Sequence, residues 1–337
     1  MSIPAARVNG GISIPPFLHP IETELRRVEE ILASELSSAV HTVAAVSSHI
    51  LEAGGKRLRP SLVALSARAC QDDFDPDGLV NVAASAELIH MATLMHDDVI
   101  DGADFRRGQV TANSFWGNQV SVLTGDYMLA KAFSLLARDG DNRIMQTLSR
   151  ATIAMAEGEI GQIESRGDTQ ALAAHYLSVI HDKTAAFMSA CCRIGAILAS
   201  GSMSVEEALA RYGLDLGLAF QITDDLLDLI GDPAKTGKPV GGDIREGKVT
   251  MPLILALEKA NPADRAALEN IIQNGCAAPE DIEFARKLVR AAGAIEGTRE
   301  VAARHIRHAV ESLQVLPPSD ARNSLTELAD YVLRREG

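Results

Sequence analysis

The sequence predicts an all-α fold, and three observations support this. The helix-forming residues Ala, Leu and Glu recur throughout, while only 4% of residues are aromatic, so aliphatic side chains must form most of the core. Apolar residues such as Leu25, Val28 and Leu32 repeat at helical spacing over long segments. No segment alternates apolar and polar residues between hairpin turns. We therefore expect a single large helical bundle.

The predicted helices follow one another along the chain with short breaks. Helical spacing covers residues 21–53, 79–101, 119–136, 144–163, 172–199, 205–230 and 251–259. The segment 79–101 is apolar almost throughout, which indicates a buried helix rather than a surface one. The segment GGKRLRP at 54–60 is interpreted as a turn that glycine begins and Pro60 ends. From residue 262 onward, amphipathic helices are split at Gly293 and at Pro317.

The domain organisation follows from chain length and from the absence of linkers. The 337 residues suffice for one large domain or two ordinary ones. The Pro- and Gly-rich stretches at 9–17, 54–60, 231–243 and 316–319 are too short for interdomain linkers. We predict a flexible N-terminal extension at 1–20 and a single domain at 21–337. No uncharged apolar stretch reaches membrane-spanning length, and Arg7 interrupts any secretory signal, so we expect neither.

Composition and charge exclude several classes of protein. Hydrophobic residues make up 47% and charged residues 23%, which excludes a disordered chain. The 45 acidic and 32 basic side chains give a net charge of −13, which argues against nucleic acid as a partner and favours one that brings cations. The cysteines at 70, 191, 192 and 276 show no CxxC spacing. Reduced thiols, and therefore a cytoplasmic location, are expected.

Two acidic motifs are the strongest chemical signal in the sequence. HDDVID at 96–101 and TDDLLD at 223–228 both contain Asp-Asp-x-x-Asp, and each ends an apolar helical run. Residues four apart share a helix face, so the outer aspartates of each motif point the same way, with the middle one about 100° round. Their repulsion is unfavourable at a helix C-terminus. The six carboxylates are Asp97, Asp98, Asp101, Asp224, Asp225 and Asp228.

These carboxylates predict a site for a hard divalent cation. Mg²⁺ takes oxygen ligands and typically bridges carboxylates to substrate phosphates. One such motif on a helix end is usually only solvated, but here there are two, and basic residues stand near them. These are Lys56, Arg57, Arg59, Arg106 and Arg107. An acidic protein with this arrangement is suited to hold anions through metal and guanidinium together.

Five motifs, taken in order, resemble a known family. They are GGKRLRP, LIHMATLMHDDVIDGADFRRG, the pair Lys183 and Thr184, FQITDDLLDLIGD, and GKPVGGDIREGKVTMPLI. Between about residue 50 and residue 260 they resemble the trans-isoprenyl diphosphate synthases, or polyprenyl synthetases. The continuation RRGQVTANSFWGNQVSVLTGDYMLAKAF resembles the long-chain branch, such as octaprenyl and decaprenyl diphosphate synthases. The resemblance implies the isoprenoid synthase type I fold, a helical bundle around a central apolar cavity.

The resemblance also implies roles for individual residues. It assigns the diphosphate of isopentenyl diphosphate to Lys56, Arg59, His90 and Arg107, with Arg57 also substrate-binding. It assigns the allylic diphosphate to Arg106, Lys183, Thr184, Gln221 and Lys238. Asp97, Asp101 and Asp224 would ligate Mg²⁺, with Asp98, Asp225 and Asp228 supporting them; these six and Lys183 form the expected catalytic set. Arg334 and Arg335 resemble a basic tail of relatives, but we expect them to be solvated.

The implied reaction is successive head-to-tail condensation of isopentenyl diphosphate onto an allylic diphosphate, with farnesyl diphosphate as the expected primer. Ala92 and Thr93 precede Asp97 where short-chain relatives commonly carry an aromatic residue, and their small size is expected to leave a product tunnel open. We expect a quinone side-chain precursor of about C40–C50, with each isoprene unit roughly as long as a helical turn of 5.4 Å. A homodimer, and a peripheral membrane contact for product release, are also expected.

Alternative functions differ in the residues they would need. A shorter-chain farnesyl or geranylgeranyl diphosphate synthase would share both acidic motifs. An HD-type metal phosphohydrolase would use the doublets at His96 and His181 as metal ligands, but it gives no reason for GGKRLRP or a second acidic motif. A class I terpene cyclase would not need the isopentenyl site. A non-catalytic subunit of a heteromeric synthase would be expected to lose the acidic motifs.

Overall fold

The computed structural model describes residues 15–71, 73–106, 108–139, 141–170, 173–231, 240–275 and 277–335. The helices are α1 Glu22–Glu35, α2 His41–Glu52, α3 Leu58–Cys70, α4 Pro76–Ile100, α5 Ala112–Trp116, α6 Asn118–Asp139, α7 Asn142–Glu164, α8 Ala173–Ile180, α9 Ala186–Leu198, α10 Met203–Ile230, α11 Gly242–Arg245, α12 Met251–Lys259, α13 Pro262–Asn274, α14 Pro279–Ala291, α15 Ala294–Ser312 and α16 Asp320–Arg334. Within these ranges the only strands are β1 Phe105–Arg106 and β2 Gln109–Val110, which pair antiparallel. The prediction of an all-α fold is confirmed.

The two helices that carry the acidic motifs have well-defined ends. The Asp75 carboxylate accepts hydrogen bonds from the backbone N–H groups of Asp77 and Gly78 and so caps α4. The hydroxyl of Ser202 caps α10 in the same way. Because α4 ends at Ile100 and α10 at Ile230, each acidic motif occupies the C-terminal turns of its helix, as the sequence predicts.

Two segments near the N-terminus differ from the sequence prediction. The single helix expected over 21–53 is two helices, α1 and α2, separated at 36–40. The segment 54–60 is not a turn that Pro60 ends. Arg57 adopts a left-handed conformation with φ 47°, and α3 begins at the next residue. Pro60 lies in the first turn of α3, where a backbone N–H has no intrahelical partner to lose.

The predicted helix over 172–199 contains a single π-helical turn. Residues His181–Ala185 form this turn between α8 and α9, and they include Lys183 and Thr184. One extra residue per turn rotates the side chains that follow, which is why such turns are frequent at functional sites. Periodicity does not reveal it, because both flanking segments keep ordinary helical spacing.

The core supports the placement of these helices. The most extensive helix contacts join α4 to α6, α9 to α10, α10 to α15 and α3 to α9. Leu79, Leu88 and Ile89 of α4 are fully buried, which confirms the prediction of a buried helix. Each such side chain contributes roughly 1.5–3 kcal/mol by leaving water. A smaller cluster, which includes Leu253 and Leu268, packs the α12–α14 region against the end of α10.

Part of the segment predicted as a flexible extension packs against the core. Pro16–Ile21 form a 3₁₀ helix whose Leu18 and Ile21 side chains are buried in the core. The rest of the predicted extension, residues 1–14, lies outside the described residues.

In the part of the chain that the structure describes, two helices are long and apolar enough to cross a membrane by length and composition. They are Pro76–Ile100, which is α4, and the part of α6 from Asn118 to Arg138. In the most apolar window of α4, 72% of the residues are buried inside the protein, as expected of a core helix. In the corresponding window of α6 only 39% of the residues are buried, so apolar side chains of this helix are exposed on the chain's surface, Leu123 among them.

Two glycines hold the π turn between neighbouring helices. A Cβ atom on Gly158 of α7 would lie 2.5 Å from the backbone nitrogen of Lys183. A Cβ atom on Gly217 of α10 would lie 2.6 Å from the Cα of Ala185. Both distances are shorter than any normal contact, so the close approach of the three segments requires glycine at both positions.

We expect Gly158→Ala to lower the free energy of unfolding by about 1–3 kcal/mol, because overpacking must push α7 away from the π turn. The measurement is urea unfolding followed by circular dichroism. Gly161→Ala is the matched control, because it lies on the same helix and its Cβ would meet nothing within 4 Å. Equal stability of the two variants would contradict the packing argument.

Candidate active site

One cavity of about 910 Å³ brings the predicted motifs together. It lies between α4, α7, the π turn and α10, and the segment at 53–59 closes one side. Aspartates of both acidic motifs line its polar part. Leu94, Leu129, Met155 and Phe187 line an apolar part. Helices that are distant in sequence thus build a single site with one charged and one apolar region.

The first motif exposes one carboxylate to the cavity and engages the other two. Asp97 lines the cavity. Asp98 is buried and accepts a 2.6 Å hydrogen bond from Nε of Arg106 in the short hairpin. Asp101 forms a 3.1 Å ion pair with Arg166. The first motif is therefore held on two sides by guanidinium groups.

The surroundings of Asp97 disfavour the charged form of its carboxylate. Burial, together with the nearby carboxylates of Glu159 and Asp101, raises its pKa to about 6, although Lys183 and Arg106 act to lower it. Burial is the main cause, so the surroundings stabilise the charged form of this carboxylate less well than water does. A divalent cation beside Asp97 would stabilise that charged form.

In the second motif, two carboxylates face the cavity and one is buried. Asp224 and Asp228 line the cavity. Both oxygens of the buried Asp225 accept hydrogen bonds, one from the Tyr176 hydroxyl at 2.6 Å and one from the Gln221 amide at 2.7 Å. Burial and the adjacent Asp224 and Asp228 nevertheless raise the pKa of Asp225 to about 6. Asp225 therefore fixes the end of α10 rather than facing a ligand.

The donor set fits a hard cation. Asp97, Asp224 and Asp228 offer carboxylate oxygens, which Mg²⁺ and Ca²⁺ prefer. Asp101 shares a helix face with Asp97 one turn further on, but its carboxylate is paired with Arg166 in this structure.

The basic segment before α3 divides between structural and binding functions. Burial alone would lower the pKa of Arg57, but ion pairs with Glu87 and Glu29 raise it above its ordinary value. The Arg57 guanidinium, predicted to bind substrate, is thus engaged by two glutamates. These ion pairs hold the segment against α1 and α4, and Arg57 also lines the cavity.

Arg59 is the best placed cation of this segment. It lines the cavity, and its buried Nε atom has no hydrogen-bond partner. Burial lowers its pKa below the ordinary value despite the nearby charges of Glu87 and Asp224. A buried donor without an acceptor is costly, so Arg59 is poised for an anionic ligand. Lys56 and His90 also line the cavity.

The π turn brings a second set of polar groups into the cavity. Lys183 forms an ion pair with Glu159 and donates a 2.6 Å hydrogen bond to Gln162. The Thr184 hydroxyl donates to Gln221 at 2.9 Å, and this amide in turn donates to Asp225. The structure therefore connects the π turn to the second acidic motif, as expected for residues on one site.

Several site residues were not predicted from the sequence. Glu159 and Tyr176 are examples, and no local motif singles them out. Arg335 was expected to be solvated, and this is wrong: its side chain is only 9% exposed. Its guanidinium lies 3.2 Å from Asp224 and 4.5 Å above the Phe220 ring. Its neighbour Arg334 is exposed and pairs with Asp330, so the expectation holds there.

The remaining predicted residues fall into two groups. Thr93 lines the cavity, whereas Ala92 is completely buried and is not among the lining residues, because adjacent helical positions differ by about 100°. Arg107 and Lys238 lie outside the described residues.

Comparison with known proteins identifies the family. The family model described as polyprenyl synthetase matches residues 40–289. The octaprenyl diphosphate synthase of Escherichia coli K12 is 36% identical over 313 residues, which span 93% of this chain and 96% of that protein. A short chain isoprenyl diphosphate synthase of Methanothermobacter thermautotrophicus is 37% identical over 321 residues, which span 93% of this chain and 98% of that protein.

A solved structure shows the same fold. The polyprenyl synthase of Caulobacter crescentus CB15, complexed with calcium and isoprenyl diphosphate, superimposes with a TM-score of 0.91 at 38% identity, covering 95% of this chain and 97% of that one. A family match of this extent excludes the HD-type phosphohydrolase. The chain belongs to the polyprenyl synthetase family and is a prenyltransferase of the prenyl diphosphate synthase type.

Proposed function

We propose that this prenyltransferase is a long-chain trans-polyprenyl diphosphate synthase. It condenses isopentenyl diphosphate successively onto an allylic diphosphate, with farnesyl diphosphate as the primer, to make a quinone side-chain precursor of about C40–C50, at roughly one helical turn of length per unit. The observation that carries this proposal is one cavity, which combines aspartates of both acidic motifs, an arginine whose buried Nε atom has no hydrogen-bond partner, and apolar lining residues.

Mg²⁺ is the proposed cofactor, held by Asp97, Asp224 and Asp228. Asp101 remains a proposed ligand that would have to leave Arg166. Bound Mg²⁺ would neutralise diphosphate oxygens and so help the leaving group to depart. Asp98 and Asp225 support these ligands, because their own oxygens are occupied by Arg106, Tyr176 and Gln221.

The cationic side chains divide between two diphosphates in this proposal. Lys56, Arg59 and His90 bind isopentenyl diphosphate, and Arg106, Lys183, Thr184 and Gln221 bind the allylic diphosphate. Arg335 adds a further guanidinium, which now occupies Asp224 and is free to contact a diphosphate once a metal takes its place. Arg57 serves mainly as a structural support.

The chemistry needs electrostatic stabilisation more than a dedicated base. The allylic C–O bond breaks and its electron pair leaves with pyrophosphate, whose growing charge Lys183 and Arg106 stabilise. The π electrons of isopentenyl diphosphate form the new C–C bond, and the proton lost afterwards goes to the pyrophosphate. Leu94, Met155 and Phe187 keep water from the cationic intermediate.

A homodimer is supported by the distribution of exposed apolar side chains. Of the large ones, Phe115, Leu123 and Ile153 lie on α5, α6 and α7 outside the catalytic cavity, whereas Ile100, Ile160 and Ile163 line that cavity. Apolar surface of this kind on α5–α7 marks a protein interface. Covering this face explains the uncovered apolar side of α6 without a membrane span. We therefore propose a soluble, cytoplasmic dimer that contacts membranes only peripherally.

Metal binding should be visible in stability as well as in activity. Because the folded-state pKa of Asp97 is about 6 and the ordinary value is 3.8, the folded protein binds more protons in that window and loses stability as pH rises through it. At neutral pH, Asp97→Asn should therefore raise the metal-free unfolding free energy by on the order of 1–3 kcal/mol. It should also weaken the Mg²⁺-dependent rise in Tm and abolish condensation.

Thermal unfolding with EDTA or excess Mg²⁺ checks this, with the exposed Asp73→Asn as control. A Mg²⁺ response in Asp97→Asn equal to that of the unmodified protein would rule out Asp97 as a ligand.

The two diphosphate sites should separate in steady-state kinetics. Arg59→Gln should raise the KM for isopentenyl diphosphate by about 10- to 150-fold, since a charge-assisted hydrogen bond contributes roughly 1.5–3 kcal/mol. Lys183→Gln should instead raise the KM for the allylic primer. Arg307→Gln, which alters an exposed arginine paired with Glu300, serves as control. Equal effects of the Arg59 and Lys183 variants on both substrates would show that the sites are misassigned.

Product length should depend on Thr93. Leu129 of α6 and Thr152 of α7 also line the cavity. Phe133 lies one helical turn after Leu129, Leu148 lies one turn before Thr152, and neither lines the cavity. Because Thr93 lies one turn before Asp97, Thr93→Tyr should shorten the main product from about C40–C50 to about C15–C20 while ionisation continues. Chromatography of the dephosphorylated products measures this.

Thr93→Val is the matched control, because it removes only the hydroxyl that donates to the His90 carbonyl. A long product from the tyrosine variant would mean that the chain does not pass Thr93. A C15–C20 product from the unmodified enzyme would favour the alternative of a farnesyl or geranylgeranyl diphosphate synthase.

A further inference from the structure

A second group of metal-type ligands lies between α10 and α15. Asp215 belongs to α10, and His305 and His308 belong to α15. One ligand atom from each residue can be chosen so that all lie within 4.8 Å of one another. None of the three residues lines the catalytic cavity. The proposed function makes no use of them.

The helices fix this arrangement in space. Residues three apart share a helix face, so both imidazoles project from α15 on the same side, with their ring centroids 6.3 Å apart. Nδ1 of His305 lies 2.7 Å from a carboxylate oxygen of Asp215. The helices α10 and α15 are one of the most extensively packed pairs. The relative positions of the three residues are therefore set by the core and not by a loop.

The site is partly buried but reachable from solvent. The side chains of His305 and Asp215 are 15% and 19% exposed, while His308 is exposed. An ion can enter past His308 and find two ligands already close to each other. Tetrahedral zinc bonds of about 2.0–2.2 Å place ligand atoms roughly 3.4 Å apart, so on binding the His305–Asp215 pair would open slightly and His308 would approach it.

The ligand types point to a borderline transition metal rather than Mg²⁺. Imidazole nitrogen suits Zn²⁺, Ni²⁺ and Cu²⁺, whereas Mg²⁺ prefers oxygen ligands. Two histidines and one carboxylate leave a coordination position for water, as in zinc sites with three protein ligands.

We propose that Asp215, His305 and His308 form a Zn²⁺-class metal site that fastens α15 to α10. The site is distinct from the proposed Mg²⁺ site in both position and donor chemistry. Since α10 also carries the second acidic motif, a metal at Asp215 stabilises the helix that presents Asp224 to the cavity. Its main effect is on stability, because the three ligands lie outside the cavity.

The test uses the full chain, stripped with a chelator and then titrated with ZnCl₂ in excess Mg²⁺, which occupies the carboxylate site. Equilibrium dialysis should give one Zn²⁺ per chain, and thermal unfolding should show a rise in Tm. His308→Ala should weaken Zn²⁺ binding at least about tenfold, or roughly 1.4 kcal/mol. His41→Ala, which removes an exposed imidazole elsewhere, should change neither quantity.

Two further measurements make the result decisive. Asp215→Asn keeps the size of the side chain, so its loss of Zn²⁺ binding at unchanged helical content would implicate the carboxylate. Co²⁺ in place of Zn²⁺ should give an intense visible absorption band that disappears in His308→Ala. Undiminished binding in both variants would place the metal elsewhere. If the unmodified protein takes up no Zn²⁺ in excess Mg²⁺, His305 and Asp215 form an ordinary hydrogen-bonded pair and the proposal fails.

Discussion

The constraint on which the site depends is the mutual repulsion of carboxylates gathered at two helix C-termini. Neither the helix dipole nor the low-dielectric surroundings favour such a cluster. Three guanidinium groups offset part of this repulsion. They form the ion pairs Asp98–Arg106, Asp101–Arg166 and Asp224–Arg335. Asp97 has no such hydrogen-bonded partner among the interactions described, and burial, together with the charges of Glu159 and Asp101, raises its pKa to about 6. The cavity is thus built to receive cations, and through them anions.

The second requirement is close packing around the segment that supplies donors. The π turn projects Lys183 and Thr184 into the cavity only because α7 and α10 approach it at glycines. From there, hydrogen bonds run through Gln221 to Asp225 and on to Tyr176. Helix packing and the polar network therefore depend on each other. A backbone shift at the π turn would displace the buried carboxylate of Asp225 through these hydrogen bonds.

The sequence predicted most of the chemistry because the reacting groups are organised by local spacing. Both acidic motifs end apolar helices, and helical periodicity alone places their outer carboxylates on one face. The sequence did not predict which carboxylate oxygens remain available to bind a metal ion. Asp98 and Asp225 look equivalent to their neighbours in sequence, but each is buried and occupied by partners that other elements supply. The orientation of Ala92 away from the cavity likewise follows from packing that periodicity does not encode.

The sequence by itself determined the all-α class, the positions of both motifs at helix ends, and the family, because helical spacing and motif order are properties of contiguous residues. The tertiary structure alone decided the contacts across long separations. Tyr176 reaches Asp225 across 49 residues, and Arg335 reaches Asp224 across 111. It also decided that Arg57 is paired with two glutamates, whereas the Nε atom of Arg59 in the same cavity has no partner. Such outcomes depend on which helices pack together and at what rotation, and that is fixed only when the whole core forms.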